Sequence, residues 1–294
     1  VNNKRRETIT ALLFASPWII GFLVFMLYPI TASFYYSFCD YSVLRKATFI
    51  GGANYVDLVH DEVFRQSLAN TLLYAVFALP MGLIVAVSLA LLLNAKVKGM
   101  PIYRTIFFIP SLVPQISLAV LWMWMFNSEH GLINTFLRGM GMAHPPNWLN
   151  DTNWSKPAMV ILTVWGVGNA IVIYLAGLQE VPQPLYEAAD LDGASWWGKT
   201  WNVTLPMLSP VILFNLIMGI IGTLQVFAVP YVLFPNGQPA RSAYFYTMYL
   251  YDNAFQYHKM GYACAMAWIM FIIILALTGL ALKMSQRHVH YGGS

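Results

Sequence analysis

The chain has 294 residues, 59% of them hydrophobic and 15% aromatic, with 10% charged and a net charge of +4. A soluble domain is about a quarter charged, so this composition excludes an ordinary water-soluble fold and belongs in a bilayer. The small positive balance comes with no basic patch interleaved with aromatics, which leaves nucleic acid without a binding surface.

The charges cluster, and the gaps between them mark the elements. Uncharged stretches cover 8–39, 66–95, 105–128, 157–179, 200–240 and 260–282. Each exceeds the roughly 20 residues that a helix needs to cross hydrocarbon. They are apolar on all sides, as in LIVAVSLALLLN, whereas barrel strands alternate over about ten residues. The expectation is an all-α membrane protein of one domain, 1–294, with six transmembrane helices. These are placed at about 11–35, 68–94, 105–127, 157–179, 207–234 and 261–283.

In chain order, a polar lead (1–9) precedes a first span punctuated by Pro17, Gly21 and Pro29. The lead NKRRE resembles the start of a signal peptide, but the span is too long and lacks a small-residue cleavage site. An uncleaved helix is expected. Loop 36–65 contains an Asn-led turn opening a short helix, and NAKVKGMPIYR is a tight turn before the third span. Trp122, Trp124, Trp148 and Trp154 are expected to form an aromatic belt at the outer interface. No internal repeat is visible. Cys39 and Cys264 show neither metal spacing nor a disulfide framework, although both fall near the outer face, which leaves a bridge open. His288 and His290 in the tail could ligate a metal; a solvated tail is the plainer reading.

Orientation follows Lys and Arg near span ends. With the N-terminus inside, cytoplasmic segments carry Lys4, Arg5, Arg6, Lys96, Lys98, Arg104, Lys199, Lys283 and Arg287, nine against seven on the longer outer loops. Both termini are therefore placed in the cytoplasm.

Loop 180–206, EVPQPLYEAADLDGASWWGKTWNVTLP, stands apart. Pro184 suits the first turn of a helix, and Glu187, Asp190 and Asp192 are expected to enrich its beginning, where the macrodipole favours negative charge. Gly193 can end it, and a second helix through Trp196, Trp197 and Trp201 follows. Residues 193–200, GASWWGKT, also satisfy the phosphate-loop pattern G-x-x-x-x-G-K-[ST]. A phosphate loop needs a preceding strand and close backbone approach to phosphate. Here LYEAADLD precedes it, helical and acidic, and two tryptophans occupy its tip, so no nucleotide site is expected.

The same residues fit another pattern. Glu187-Ala188-Ala189, Gly193, Val203 and Leu205-Pro206 match E-A-A-x(3)-G-x(9)-I-x-L-P, with Val203 in place of Ile. This resembles the signature of permease subunits of binding-protein-dependent ABC importers. The string YEAADLDGASWWGKTWNVTLPMLSP is most similar to the carbohydrate branch, the maltose and glycerol-3-phosphate permease type. RTIFFIPSLVPQIS and LQVFAVPYVLFPNGQP resemble further segments of that branch, where Ala228 replaces an acidic residue and FPNGQ replaces a glycine triplet. The resemblance covers about residues 10–285.

The resemblance implies that loop 180–206 is a cytoplasmic helix-turn-helix coupling element. Glu187, Ala188, Ala189, Asp190, Leu191, Asp192 and Gly193 would dock on an ATPase subunit. It further implies a second homologous permease, two cytoplasmic ATPase subunits that carry ATP and magnesium, and an extracytoplasmic solute-binding protein. The chain itself would bind no cofactor or metal and would not be an enzyme. Its location would be a bacterial or archaeal plasma (inner) membrane, and its mechanism alternating access.

Polar residues inside spans face the bundle or a water-filled path. Pro110 and Pro114 break span three beside Ser111 and Gln115, one turn apart on one face. Leu162, Trp165, Gly166 and Asn169 make an i, i+3, i+4, i+7 stripe suited to a sugar ring. Gly219, Gly222, Thr223 and Gln225 cluster in span five. All of these except Gln225 also match positions that line the solute path in maltose-type members. Interhelical packing is the competing reading for the glycines. A self-sufficient channel or secondary transporter is the alternative function; it calls for a charged intramembrane residue or repeated broken helices.

Overall fold

The computed structural model describes residues 2–95 and 97–285. Lys96, Arg287, His288 and His290 lie outside the described residues. Backbone placement separates two compact units: the chain up to Asp61 with Leu250–Phe271, and Glu62–Tyr249 with the chain from Ile272 onward.

In the first unit, α1 (Asn2–Phe22) runs through a π-helical turn (Leu23–Leu27) into α2 (Tyr28–Tyr36). The continuous apolar helix Lys4–Tyr36 is 33 residues long, and none of its most apolar window is buried. Its hydroxyls bond back along the helix, Thr31 Oγ1 to Leu27 O at 2.9 Å and Ser33 Oγ to Ile30 O at 2.8 Å. Each polar group is thus satisfied without water. A two-residue antiparallel pair follows, β1 (Cys39–Asp40) on β2 (Thr48–Phe49), with Cys39 opposite Phe49. Helix α3 (Ala53–His60) starts at Gly52. Asn54, expected to lead a turn, sits instead in the helix and donates to Ser37 O (2.9 Å) and Cys39 O (3.0 Å). A Cβ on Gly261 would meet Cys39 O at 2.1 Å, so only glycine permits this approach of α15 (Met260–Ser285). Cys39 and Cys264 are both free thiols.

The second unit is built on α4 (Glu62–Leu93), which packs against α8 (Ser155–Trp165), α9 (Gly168–Glu180) and α12 (Leu205–Leu224). Its core joins Ala86, Ala90 and Leu93 to Ile171, Tyr174, Leu178 and Leu208. Small residues set the spacing: a Cβ on Gly177 would lie 2.9 Å from Val211 Cγ2 and 3.0 Å from Leu208 Cδ2. Such small-residue contacts replace the hydrophobic drive that lipid cannot supply.

Two of the expected spans are broken. Helix α5 (Met100–Phe108) tightens into a 3₁₀ turn at Ile109–Leu112, Val113 is extended, and α6 (Gln115–Met125) leaves at 100° to the incoming stretch. Pro110 and Pro114 remove the donors that would have carried the helix through. Between α8 and α9 the bend is 44°, at Gly166 and Val167. Among the described residues, four continuous helices are therefore long and apolar enough to cross a membrane: Lys4–Tyr36, Glu62–Leu93, Trp196–Leu233 and Met260–Ser285. There are up to six crossings if each bent pair counts as one.

The expected tryptophan belt holds only in part. Trp124 and Trp154 are exposed, but Trp122 and Trp148 are core residues. Trp122 packs at a tilt against Phe126 and edge-to-face against Trp165. Trp148 lies on Phe126 and donates Nε1–H to Asn134 Oδ1 at 2.7 Å. Asn134 lies in the short helix α7 (Leu132–Gly139), which thereby holds the Trp148 ring inward.

Candidate functional site

Helix α10 (Gln183–Leu191) opens with Pro184 in its first turn and ends at Asp192. Gly193 takes the left-handed conformation (φ +71°). Its N–H reaches Asp190 O at 3.1 Å, and the Ala194 N–H reaches Ala189 O at 2.9 Å. These two bonds form a Schellman turn, which glycine fills without Cβ strain. The next helix is capped by Ser195, whose Oγ accepts from the Gly198 N–H at 3.3 Å. From there α11 (Trp196–Lys199) and a π-helical turn (Thr200–Thr204) run without a break into α12.

The acidic residues are not where the macrodipole argument put them. No carboxylate occupies the first turn of α10; Glu187 sits at its midpoint, Asp190 in its last turn, and Asp192 at its C-cap. Asp190 is offset by an ion pair with Lys199 across the glycine turn. Tyr186 OH and Thr204 Oγ1, 3.0 Å apart, tie the two helices again. Held this way, the loop presents Glu187, Ala188, Asp190, Leu191, Asp192 and Gly193 to the outside, with Ala189 half-buried. Leu191 is 90% exposed, an apolar side chain on a short, braced helix.

This geometry also disposes of the phosphate-loop pattern. The segment before Gly193 is α-helix, the Gly198 amide is used by Ser195, and Lys199 faces Asp190 rather than a cradle of free amides.

The structure distributes the ten expected path residues unevenly. Ser111 and Gln115 do not share a helix face, because the 100° bend lies between them. Ser111 instead abuts span four: its Oγ is 3.0 Å from where a Cβ on Gly168 would sit, and Phe107 O is 2.8 Å away. The span-four stripe is interrupted at Gly166, which puts Asn169 on a separate helix from Leu162 and Trp165; Leu162 is buried, while Trp165 and Asn169 are exposed. In span five Gly222 and Gln225 are exposed. Gly219 and Thr223 turn inward and line a cavity of about 130 Å³ between α4, α9 and α12, with Tyr174 and Asn215. A Cβ on Gly219 would lie 2.3 Å from Leu79 Cδ1, which is the packing alternative for that glycine.

Sequence reasoning missed a polar clamp at one end of α4. Asn70 Nδ2 donates to Arg241 O (2.8 Å) and Tyr244 O (3.1 Å), Gln66 Nε2 to Ala240 O (3.3 Å), and Thr71 Oγ1 accepts from the Tyr246 N–H (2.8 Å). Lys156 Nζ donates to Ser242 O (2.8 Å) and Asn70 Oδ1 (3.3 Å), and the Ser155 and Ser242 hydroxyls meet at 2.9 Å. The signal was present in the spacing of Gln66, Asn70 and Thr71, one turn apart at the head of an apolar helix.

With this geometry in hand, similarity to known proteins is informative. The family described as "binding-protein-dependent transport system inner membrane component" matches residues 78–290. The arabinooligosaccharides transport system permease protein AraP of Bacillus subtilis (strain 168) is 37% identical over 276 residues, 93% of this chain and 87% of that protein. In structure, the chain is similar to a bacterial ABC transporter involved in import of the acidic polysaccharide alginate. The TM-score is 0.84 at 26% identity, covering 97% of both chains. A bacterial alginate ABC transporter in complex with an alginate pentasaccharide-bound periplasmic protein gives 0.82 at 25% identity, covering 97% and 96%.

Proposed function

Because the chain belongs to the binding-protein-dependent transport system inner membrane component family, we propose that it is the membrane-spanning permease subunit of an ATP-driven importer for a saccharide or sugar-like solute. The saccharide reading draws on the arabinooligosaccharide and alginate transporters that it resembles. It draws equally on the exposed Trp165 and Asn169, an aromatic face beside an amide. In this reading each bent pair is one crossing, giving six spans with both termini in the cytoplasm. The chain forms half of the solute path, and a second homologous permease supplies the other half. Ser111, Gln115, Trp165, Gly166, Asn169, Gly222 and Gln225 stand on or beside that path. Leu162, Gly219 and Thr223 support it from behind.

The observation that carries the proposal is the exposed helix α10, stopped by Gly193 and braced through Asp190–Lys199. An exposed leucine on a braced cytoplasmic helix is a docking knob for a cleft on an ATPase subunit, and Glu187 supplies a charge-assisted bond. ATP and magnesium would bind on two such subunits. Closure of that pair moves the coupling helices, and the spans reopen toward the side where a solute-binding protein delivers its cargo. Each ligand drives the cycle only by favouring one state over the other.

Site-specific crosslinking from Ala188→Cys or Leu191→Cys in the assembled complex tests this directly. A crosslink to an ATPase subunit is expected. Its absence from a complex that still imports solute would place the docking surface elsewhere.

A further inference from the structure

A second concave site lies between α4 and α8, and none of the ten path residues lines it. Its cavity is about 540 Å³. Polarity is graded from one end to the other. Thr152, Asn153 and Lys156 stand at the end where α8 begins; Phe77, Met81 and Ile161 wall the remainder. The hydroxyl of Tyr74, which also borders the cavity, is engaged with Thr163 Oγ1 at 2.7 Å.

Lys156 is held in place without being neutralised. Its Nζ donates to Ser242 O at 2.8 Å and to Asn70 Oδ1 at 3.3 Å, both uncharged. An ammonium has three N–H donors, so one is left over. Among the described residues no carboxylate lies within ion-pair distance of it. A fixed, uncompensated cation therefore sits at the head of an apolar trough. The exposed Trp154, two residues before it, marks the depth that interfacial tryptophans favour.

We propose that this trough binds an anionic phospholipid, with the headgroup phosphate on Lys156 and one acyl chain along Phe77, Met81 and Ile161. The graded lining excludes the other anions. Free phosphate would leave the trough empty, and an acidic saccharide would press its hydroxyls against a wall with no hydrogen-bond partners. The proposal depends on the chain lying in a bilayer, not on the identity of the solute or on the orientation of the spans.

Native mass spectrometry of the full chain, purified in a nonionic detergent, tests it. The probes are phosphatidylglycerol, phosphatidylcholine and diacylglycerol of matched chains, with inorganic phosphate and an oligouronate as competitors. Phosphatidylglycerol adducts are expected to survive several-fold better than the other two lipids, and neither competitor should displace them. Lys156→Gln should bring retention down to the phosphatidylcholine level, and Lys156→Arg should preserve it. Ile161→Trp fills the trough and leaves the cation, so it should lower retention as well. Equal retention of all three lipids, displacement by either competitor, or full retention in Ile161→Trp would overturn the proposal. The last of these decides the matter even if Lys156→Gln fails to fold.

Discussion

Gly193 shows how much a single residue decides at this site. Its φ of +71° closes the Schellman turn, and a Cβ there would meet nothing within 4 Å. Substitution thus carries only the left-handed backbone penalty, about 1–2 kcal/mol for an L-residue. In Gly193→Ala, amide exchange across 183–194 should quicken roughly tenfold, while the thermal midpoint of the spans holds. Unchanged exchange would mean that the turn does not hold α10. Leu191→Asp makes the complementary case. At 90% exposure the side chain contributes no packing to this chain, so stability should move by less than ~0.5 kcal/mol. Recovery of the ATPase subunit with the tagged permease should nevertheless fall severalfold. Gly193 and Pro184 were legible in the sequence because their stereochemistry is local. Leu162 was not: the stripe placed it with Trp165, but it is buried where Trp165 is exposed, because burial within a stripe depends on the neighbouring helices. Thr223 likewise points into the packed α4–α9–α12 cavity, which no single-helix pattern reveals.

At the scale of elements, charge-free length located the four continuous apolar helices and the two bent pairs, since burying a charge in hydrocarbon costs several times the gain from an apolar residue. Boundaries moved where helices continue past the charge-free stretches or the expected span ends: α4 already begins at Glu62, and the second loop helix runs on into α12. The prolines four apart in span three announced a break. They could not announce its 100° angle, which depends on what α5 and α6 pack against. Gly168 is part of that packing. A Cβ would sit 2.8 Å from Phe107 O and 3.2 Å from Phe108 Cα, and backbone in a packed helix cannot step aside. Gly219 is tighter by distance, at 2.3 Å, but its neighbour is the far end of the Leu79 side chain, which can change rotamer. Overpacking costs about 1–3 kcal/mol. Gly168→Ala should therefore destabilise the chain in detergent unfolding by an amount in that range. Gly219→Ala should cost less, with part of its loss recovered in the Leu79→Ala background. The reverse ranking would show that span three is free to shift against span four.

At the scale of the whole molecule, the proposed reading gives the chain half of a solute path and a docking helix, with ATP hydrolysed on a separate subunit. Residues 193–200 carry a phosphate-loop pattern. In the fold, however, Gly193 is a helix terminator, the Gly198 amide is taken by Ser195, and Lys199 is paired with Asp190. The spans offer no charge for an ion gradient to act on: 66–95, 105–128, 157–179, 200–240 and 260–282 are free of Asp, Glu, Lys and Arg. In the proposed reading, directional movement of solute is therefore powered through contacts that other subunits make with α10. The chain alone, reconstituted in liposomes, should release no phosphate from ATP above the protein-free rate and should accumulate no solute under an imposed ion gradient. Co-reconstitution with its ATPase subunits, the second permease and the solute-binding protein should restore both activities together. Lys199→Ala in that assembly should weaken coupling, seen as less solute carried per ATP, because Asp190 loses the partner that braces the docking helix. Hydrolysis by the isolated chain that disappears in Lys199→Ala would convert the pattern into a genuine nucleotide site. Gradient-driven uptake by the isolated chain would instead make it a self-sufficient transporter.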